Sequence, residues 1–129
     1  MKVNNYGDML AKVIGKECLG FVMFGSYQGE WVALLENVNE VELWKGYYGS
    51  CPGCDFIEAE RDWKTDEIPD DKARGYFKED KPFLKIPKEI IPNMSIEDFH
   101  TIFPANIRDS IYDYEEGEEQ LFKVVKKVR

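Results

Sequence analysis

The spacing of three strand-like runs near the start of the chain limits the fold more than any other feature. Residues 21–26, 31–36 and 41–48 are rich in β-branched and aromatic side chains, and turn-forming residues separate them. A parallel pair would need a crossover of roughly a dozen residues or more between its strands, and the gaps here are far shorter. The sequence therefore predicts a three-stranded antiparallel meander.

Apolar residues at helical spacing before and after the meander predict several helices. In the first, residues 8–18, Leu10 and Cys18 would share one face. Prolines run through residues 81–93, which predicts an ordered loop with room for one short strand. The other predicted helices are residues 51–63, residues 71–78, a run that Ser95 caps and that ends before Pro104, a short run after Asn106, and a last run that carries Leu121, Val124, Val125 and Val128.

The length and composition of the chain predict that these elements form one domain. A chain of 129 residues has the usual size of a single domain, and hydrophobic residues at 43% are enough for a packed core. We therefore predict an α+β fold, a small antiparallel three-stranded meander packed with four to five helices, as a single domain over residues 1–129.

Charge and hydropathy narrow the classes of partner. The net charge of −8 disfavours nucleic-acid binding, which depends on a positive field against phosphates. No apolar run approaches the roughly 18 residues that a membrane span needs, and the first residues lack an apolar signal core. The expected location is therefore the cytoplasm, with no membrane role.

A Cys-x-x-Cys motif lies where the third strand is predicted to meet the next helix. Backbone N–H groups and the helix dipole at such a junction favour a thiolate. The same N–H groups could instead bind a small anion, with Asp55 as the helix cap. We therefore predict a site at the turn 47–55, and its candidate binding residues are Tyr48, Ser50, Cys51, Cys54, Asp55 and Glu58.

Two thiol-based interpretations of this motif stay open. In thiol–disulfide exchange, Cys51 and Cys54 would cycle between dithiol and disulfide, although the meander before them differs from the βαβ approach of thioredoxin-like proteins. In a zinc site, Cys18 and His100 would complete a Cys₃His set. Both of these residues are predicted on apolar helix faces, where a buried cysteine or a packed histidine is more common than a metal ligand.

Residues 46–55 read Gly-Tyr-Tyr-Gly-Ser-Cys-Pro-Gly-Cys-Asp. This stretch resembles a group of small uncharacterised bacterial, archaeal and phage proteins that share the pattern Tyr-Gly-Ser-Cys-Ser-Gly-Cys-Asp. Pro52 stands where the group usually has serine, and the likeness covers about residues 20–60. The resemblance implies that the strand-to-helix turn matters, and it implies no particular reaction.

The sequence lacks a catalytic motif that would make an enzyme the leading prediction. With a single histidine and no phosphate loop or dinucleotide fingerprint, histidine-based catalysis and nucleotide binding are disfavoured. The meander carries five tyrosine and tryptophan residues, and we expect most of them to pack on the helices and an exposed subset to form a patch for a partner: Tyr27, Trp31, Trp44, Tyr47 and Tyr48. The leading prediction is a binding or accessory protein, homo-oligomeric, that recognises a protein or a small ligand.

Overall fold

A computed structural model describes residues 1–49 and 55–128. Within these ranges the helices are α1 (Tyr6–Ile14), α2 (Phe56–Glu60), α3 (Asp70–Tyr76), a 3₁₀ helix (Lys88–Asn93), α4 (Ile96–Ile102), α5 (Ala105–Ser110) and α6 (Tyr114–Lys126). The strands are β1 (Cys18–Met23), β2 (Gly29–Glu36), β3 (Glu40–Tyr48) and β4 (Leu84–Pro87). The α+β class is confirmed, but the count of four to five helices was too low, since the described residues form six α-helices and one 3₁₀ helix.

The strands form one antiparallel sheet in the order β1-β2-β3-β4. The predicted meander is confirmed, but the count of three strands was one too low for the described residues. The fourth strand pairs Ile86 with Val41 and Leu84 with Leu43, and Ile86 is fully buried. Pro87 ends this strand and is tolerated there because β4 is an edge strand, one side of which makes no ladder hydrogen bonds.

Alternating residues of β2 build two cores, one on each face of the sheet. Trp31, Ala33 and Leu35 face what we call the N-terminal core, which residues of α1, α2 and α3 complete. Val32 and Leu34 face the C-terminal core, which residues of α4, α6 and the 3₁₀ helix complete. All these strand residues are buried because helices cover both faces of the sheet. Successive residues of β2 therefore alternate between the two cores, rather than between a buried face and a solvent-exposed face.

The first helix is shorter than predicted. Gly15 ends α1 with φ at 80°, and its N–H donates to the carbonyl of Ala11, which is the usual left-handed helix end. The chain then enters β1 at Cys18, so placing Cys18 on the helix was wrong. Asn5 caps the start of α1 by accepting a hydrogen bond from Asp8 N.

The helix after the meander is also shorter than predicted. It ends at Glu60, and Asp62 lies beyond it, where one carboxylate oxygen accepts the N–H groups of Lys64 and Thr65. Residues 61–63, which were predicted as the end of this helix, therefore lie outside it.

Two local devices fix the C-terminal half. The capping box that Ser95 begins is confirmed, since Ser95 and Asp98 exchange side-chain and backbone hydrogen bonds. Lys126, the last residue of α6, donates to the carbonyls of Ile91, Pro92 and Met94 and so anchors α6 to the 3₁₀ helix. None of the helices in the described part of the chain has both the length and the apolar character to span a bilayer.

Candidate functional site

The carboxylate of Asp55 ties the end of β3 to the start of α2. Its Oδ1 accepts hydrogen bonds from the Tyr6 hydroxyl at 2.8 Å and from Gly49 N at 3.1 Å. Its Oδ2 accepts a third from Glu58 N at 3.2 Å, which is the helix-capping bond. Asp55 is buried, so these three donors satisfy a carboxylate that would otherwise be costly to desolvate.

Aromatic rings surround this carboxylate on the side of the N-terminal core. Tyr6 stacks on Trp31 with ring centroids 5.6 Å apart and contacts Tyr76 at 5.8 Å. Burial, followed by the hydrogen bond to Asp55, raises the pKa of Tyr6, so the phenol stays neutral and donates. Burial, with smaller effects of Asp80 and Asp55, raises the pKa of Tyr76 to about 12. The cluster is a packed polar core with satisfied partners.

The structure brings together part of the predicted binding set. Asp55 is buried as a structural cap, whereas the Glu58 side chain is exposed on α2 and only its N–H reaches Asp55. Tyr48 is half-buried, and its hydroxyl donates to the Phe24 carbonyl at 2.7 Å. Ser50, Cys51 and Cys54 lie outside the described residues, as does the predicted helical start at residues 51–54.

Two members of the suggested zinc set lie on opposite faces of the sheet. Cys18 packs at the N-terminal core, where its thiol donates to the Gly20 carbonyl at 3.3 Å and burial raises its pKa. His100 is exposed on α4, against the other face, with Nδ1 2.7 Å from Glu118 Oε2. The prediction of a core histidine was therefore wrong, because α6 provides a surface partner. Residues 1–49 and 55–128 contain no group of three or more His, Cys, Asp or Glu side chains placed to hold a metal ion.

A surface groove of about 870 Å³ opens beside Tyr48 and Gly49. The β1–β2 turn, the adjoining ends of β2 and β3, and the segment before α6 form its walls. Three of the wall residues are strongly exposed tyrosines, namely Tyr27 at 82%, Tyr47 at 63% and Tyr112 at 69%. Such a concentration of exposed aromatic rings around one groove is typical of a binding surface.

Close backbone packing sets the shape of the β1–β2 turn. Gly25 has φ at 92°, and a Cβ there would lie 2.4 Å from the Gln28 carbonyl oxygen. Phe24 N donates to the Glu30 carbonyl at 2.9 Å and closes the turn. The turn is therefore tight, and its tip forms one wall of the groove.

Glu30 supplies a buried carboxylate to the groove. The residue is 7% exposed and pairs with Tyr47 across β2 and β3. Its Oε2 accepts the N–H of Tyr112 at 3.3 Å, which is long for a hydrogen bond of this type. Within the described residues, this is the one hydrogen bond of the Glu30 side chain, and its carboxylate oxygens are not among the buried polar atoms that lack a partner.

Two acidic side chains lie near the Tyr48 hydroxyl. Burial raises the pKa of Tyr48, and the negative charges of Glu30 and Asp113 raise it further. Both carboxylates are therefore close enough to act on the Tyr48 hydroxyl. The groove consequently combines aromatic faces with an acidic base, which is the chemistry that attracts an organic cation.

Sequence reasoning found part of this groove. It predicted Tyr48 as a binding residue and an exposed aromatic patch from a set that included Tyr27 and Tyr47. Two other members of that set, Trp31 and Trp44, are buried, and Glu30 and Tyr112 were missed. A charge at the start of an otherwise apolar strand was the signal for Glu30. Tyr112 carried no comparable signal, because it reaches the groove only through the packing of the segment before α6.

No protein-family model, curated protein or solved structure matches this chain. The geometry and charge of the site therefore carry the functional argument.

Proposed function

We propose that the protein is a cytoplasmic binding or accessory protein whose site is the aromatic groove at the end of β3, next to Tyr48 and Gly49. The observation that carries the proposal is the convergence of Tyr27, Tyr47 and Tyr112 on one groove. They come from three separate segments and stay exposed, although aromatic side chains of this size stabilise a fold most when they are buried.

The Asp55 cluster supports the proposal by giving the groove a rigid wall. Gly49, which lines the groove, is hydrogen-bonded to Asp55, and Asp55 is bonded to Tyr6 in the N-terminal core. The adjacent Tyr48 is fixed by its bond to Phe24. A site held on supported strand ends loses little conformational entropy when a ligand binds, which favours affinity.

The test is a ligand screen read by backbone-amide NMR shifts. A set of small cationic, neutral and anionic fragments is added in turn to the ¹⁵N-labelled protein. We expect at least one fragment to shift the amides of residues 26–30, 47–49 and 112 as a group. A screen in which no fragment of any charge perturbs these amides would contradict the proposal.

A cysteine variant separates this proposal from the thiol-based alternative. In a binding protein, replacing Cys51 and Cys54 together by serine should leave the groove shifts in place with a modest change in stability. Stoichiometric zinc in the native protein, or a reversible Cys51–Cys54 disulfide whose reduction switches the shifts, would instead support the metal or redox function. Thiol counting on native and denatured protein completes the comparison.

A further inference from the structure

We infer that the groove binds the side-chain cation of a lysine or arginine presented by a partner protein. This inference rests on the proposed function and names the chemistry of its ligand. It follows from the exposed tyrosine rings, the buried Glu30 carboxylate and the openness of the groove.

The first step is the match between ring faces and a cation. An ammonium or guanidinium group within about 6 Å of a tyrosine centroid is attracted by the negative face of the ring. Lys45 Nζ lies 4.8 Å from the Tyr47 centroid, so this protein already places a cation over one of the groove tyrosines. The exposure of Tyr27 and Tyr112 leaves their rings accessible for the same interaction.

The second step is the charge at the base of the groove. Glu30 is only 7% exposed and lines the groove. Its side chain accepts a single long hydrogen bond within the described residues. A buried carboxylate with spare acceptor capacity gains more from a cationic donor than from water. Asp113, which also acts on Tyr48, adds to the negative field.

The third step is the source of the cation. A free small amine is best recognised by an enclosed cage, since small-ligand sites bury most of their ligand. Here the tyrosines stand largely in solvent, so a free cation would leave most of their ring area uncovered. A protein segment that carries the cation would cover the rings with its own backbone and neighbouring side chains. The net charge of −8 would also speed the approach of a basic partner.

The experiment compares charged and neutral side chains on one peptide. Two short Gly-Ser peptides carry a central lysine or arginine, and their partners carry norleucine or citrulline in its place. The groove amides report binding by NMR titration at low ionic strength. We expect each cationic peptide to bind about tenfold or more tightly than its neutral partner, with weakening as salt is added.

Matched variants assign this preference to named side chains. Glu30→Gln keeps an acceptor for the Tyr112 N–H but loses the charge, so the cationic preference should disappear. Glu119→Gln makes the same charge change at an exposed position on α6 and should keep it. Tyr112→Leu should weaken binding severalfold, whereas Trp63→Leu, at an aromatic residue 86% exposed outside the groove, should not.

Each other outcome overturns the inference in a distinct way. Equal binding of norleucine and lysine peptides would leave the groove as a binding site but reject the cation. An equal loss in Glu119→Gln would assign the preference to net charge rather than to the groove. Tetramethylammonium binding as tightly as the lysine peptide would make a free cation the ligand. A dimer in solution that Glu30→Gln dissociates would make a second copy of the chain the occupant.

Discussion

Two carboxylates at the same end of the sheet have opposite environments. Asp55, beside the N-terminal core, accepts three hydrogen bonds, from Tyr6, Gly49 and Glu58. Glu30, on the other face of β2, accepts one long bond within the described residues and lies among exposed tyrosines. Both residues are buried, and within the described residues they differ in the number of hydrogen bonds that their carboxylates accept.

The difference indicates which carboxylate serves the fold and which is free to serve a ligand. A buried acceptor with all its partners stabilises the local structure and has little to offer a new donor. A buried acceptor with spare capacity costs stability in the free protein and can recover that cost on binding. The Asp55 cluster therefore belongs to the architecture of the turn, and the Glu30 groove is the better candidate for recognition.

The largest expected effect is that of Asp55→Ala. It leaves the Tyr6 hydroxyl and two backbone N–H groups without their acceptor, so we expect the free energy of unfolding to fall by about 2–4 kcal/mol. Urea denaturation followed by circular dichroism measures the change. Asp55→Asn is the matched control, because its amide oxygen can still cap α2, and it should lose about half as much. Equal losses in the two variants would mean that the hydrogen bonds are not what stabilises the turn.

A third buried carboxylate, that of Glu42, differs from the other two because a lysine is among its hydrogen-bond donors. Glu42 accepts hydrogen bonds from Lys16 at 2.8 Å, Asn37 at 2.9 Å and Trp44 at 3.3 Å. Burial alone would raise the pKa of Glu42, but the hydrogen bonds and the charge of Lys16 outweigh it and lower the pKa below 4.5. The folded state therefore favours the ionised form.

Glu42→Gln should consequently destabilise the protein by about 1–3 kcal/mol at pH 7. Because the folded pKa is the lower one, the stabilisation is fully present above the unfolded pKa of about 4.5 and is lost as the pH falls towards the folded value. The gap between wild type and variant should therefore narrow below about pH 4.5. Unfolding curves at several pH values measure it, and a gap that stayed constant into the acid range would contradict the assignment.

The sequence predicted the central meander well because its signals are local. Apolar runs with short turns leave few alternatives to antiparallel pairing, and the strand limits differ from the predicted ones by a few residues. The fourth strand was harder to predict because its pairing partner lies about 40 residues earlier, and its prolines argued for a loop. Cys18 was misplaced because it continues the helical spacing of the apolar residues of α1. Gly15 is the signal in the sequence that marks the end of the helix before β1 begins.

The candidate site was predictable only where one segment supplies it. Tyr47, Tyr48 and Asp55 are near one another in the sequence, and Asp55 caps a helix as predicted, although the predicted helix already began at residue 51. Tyr112 reaches Glu30 across 82 positions of the chain, and such a contact depends on tertiary packing. The number of hydrogen bonds that Asp55 and Glu30 accept is likewise a property of the folded structure, since in the sequence each is an acid followed by one aromatic residue.

The smallest expected effect on stability is that of Glu30→Gln, and it is the sharpest test of the comparison. The amide can still accept the Tyr112 N–H while the buried charge is removed, so we expect the free energy of unfolding to stay within about 0.5 kcal/mol of wild type or to rise. Urea denaturation beside Asp55→Asn, which also replaces a carboxylate by its amide, measures this. If Glu30→Gln were the more destabilising of the two, Glu30 would be a structural acceptor like Asp55. The groove would then have lost the lightly hydrogen-bonded carboxylate that makes it a candidate for binding a cation.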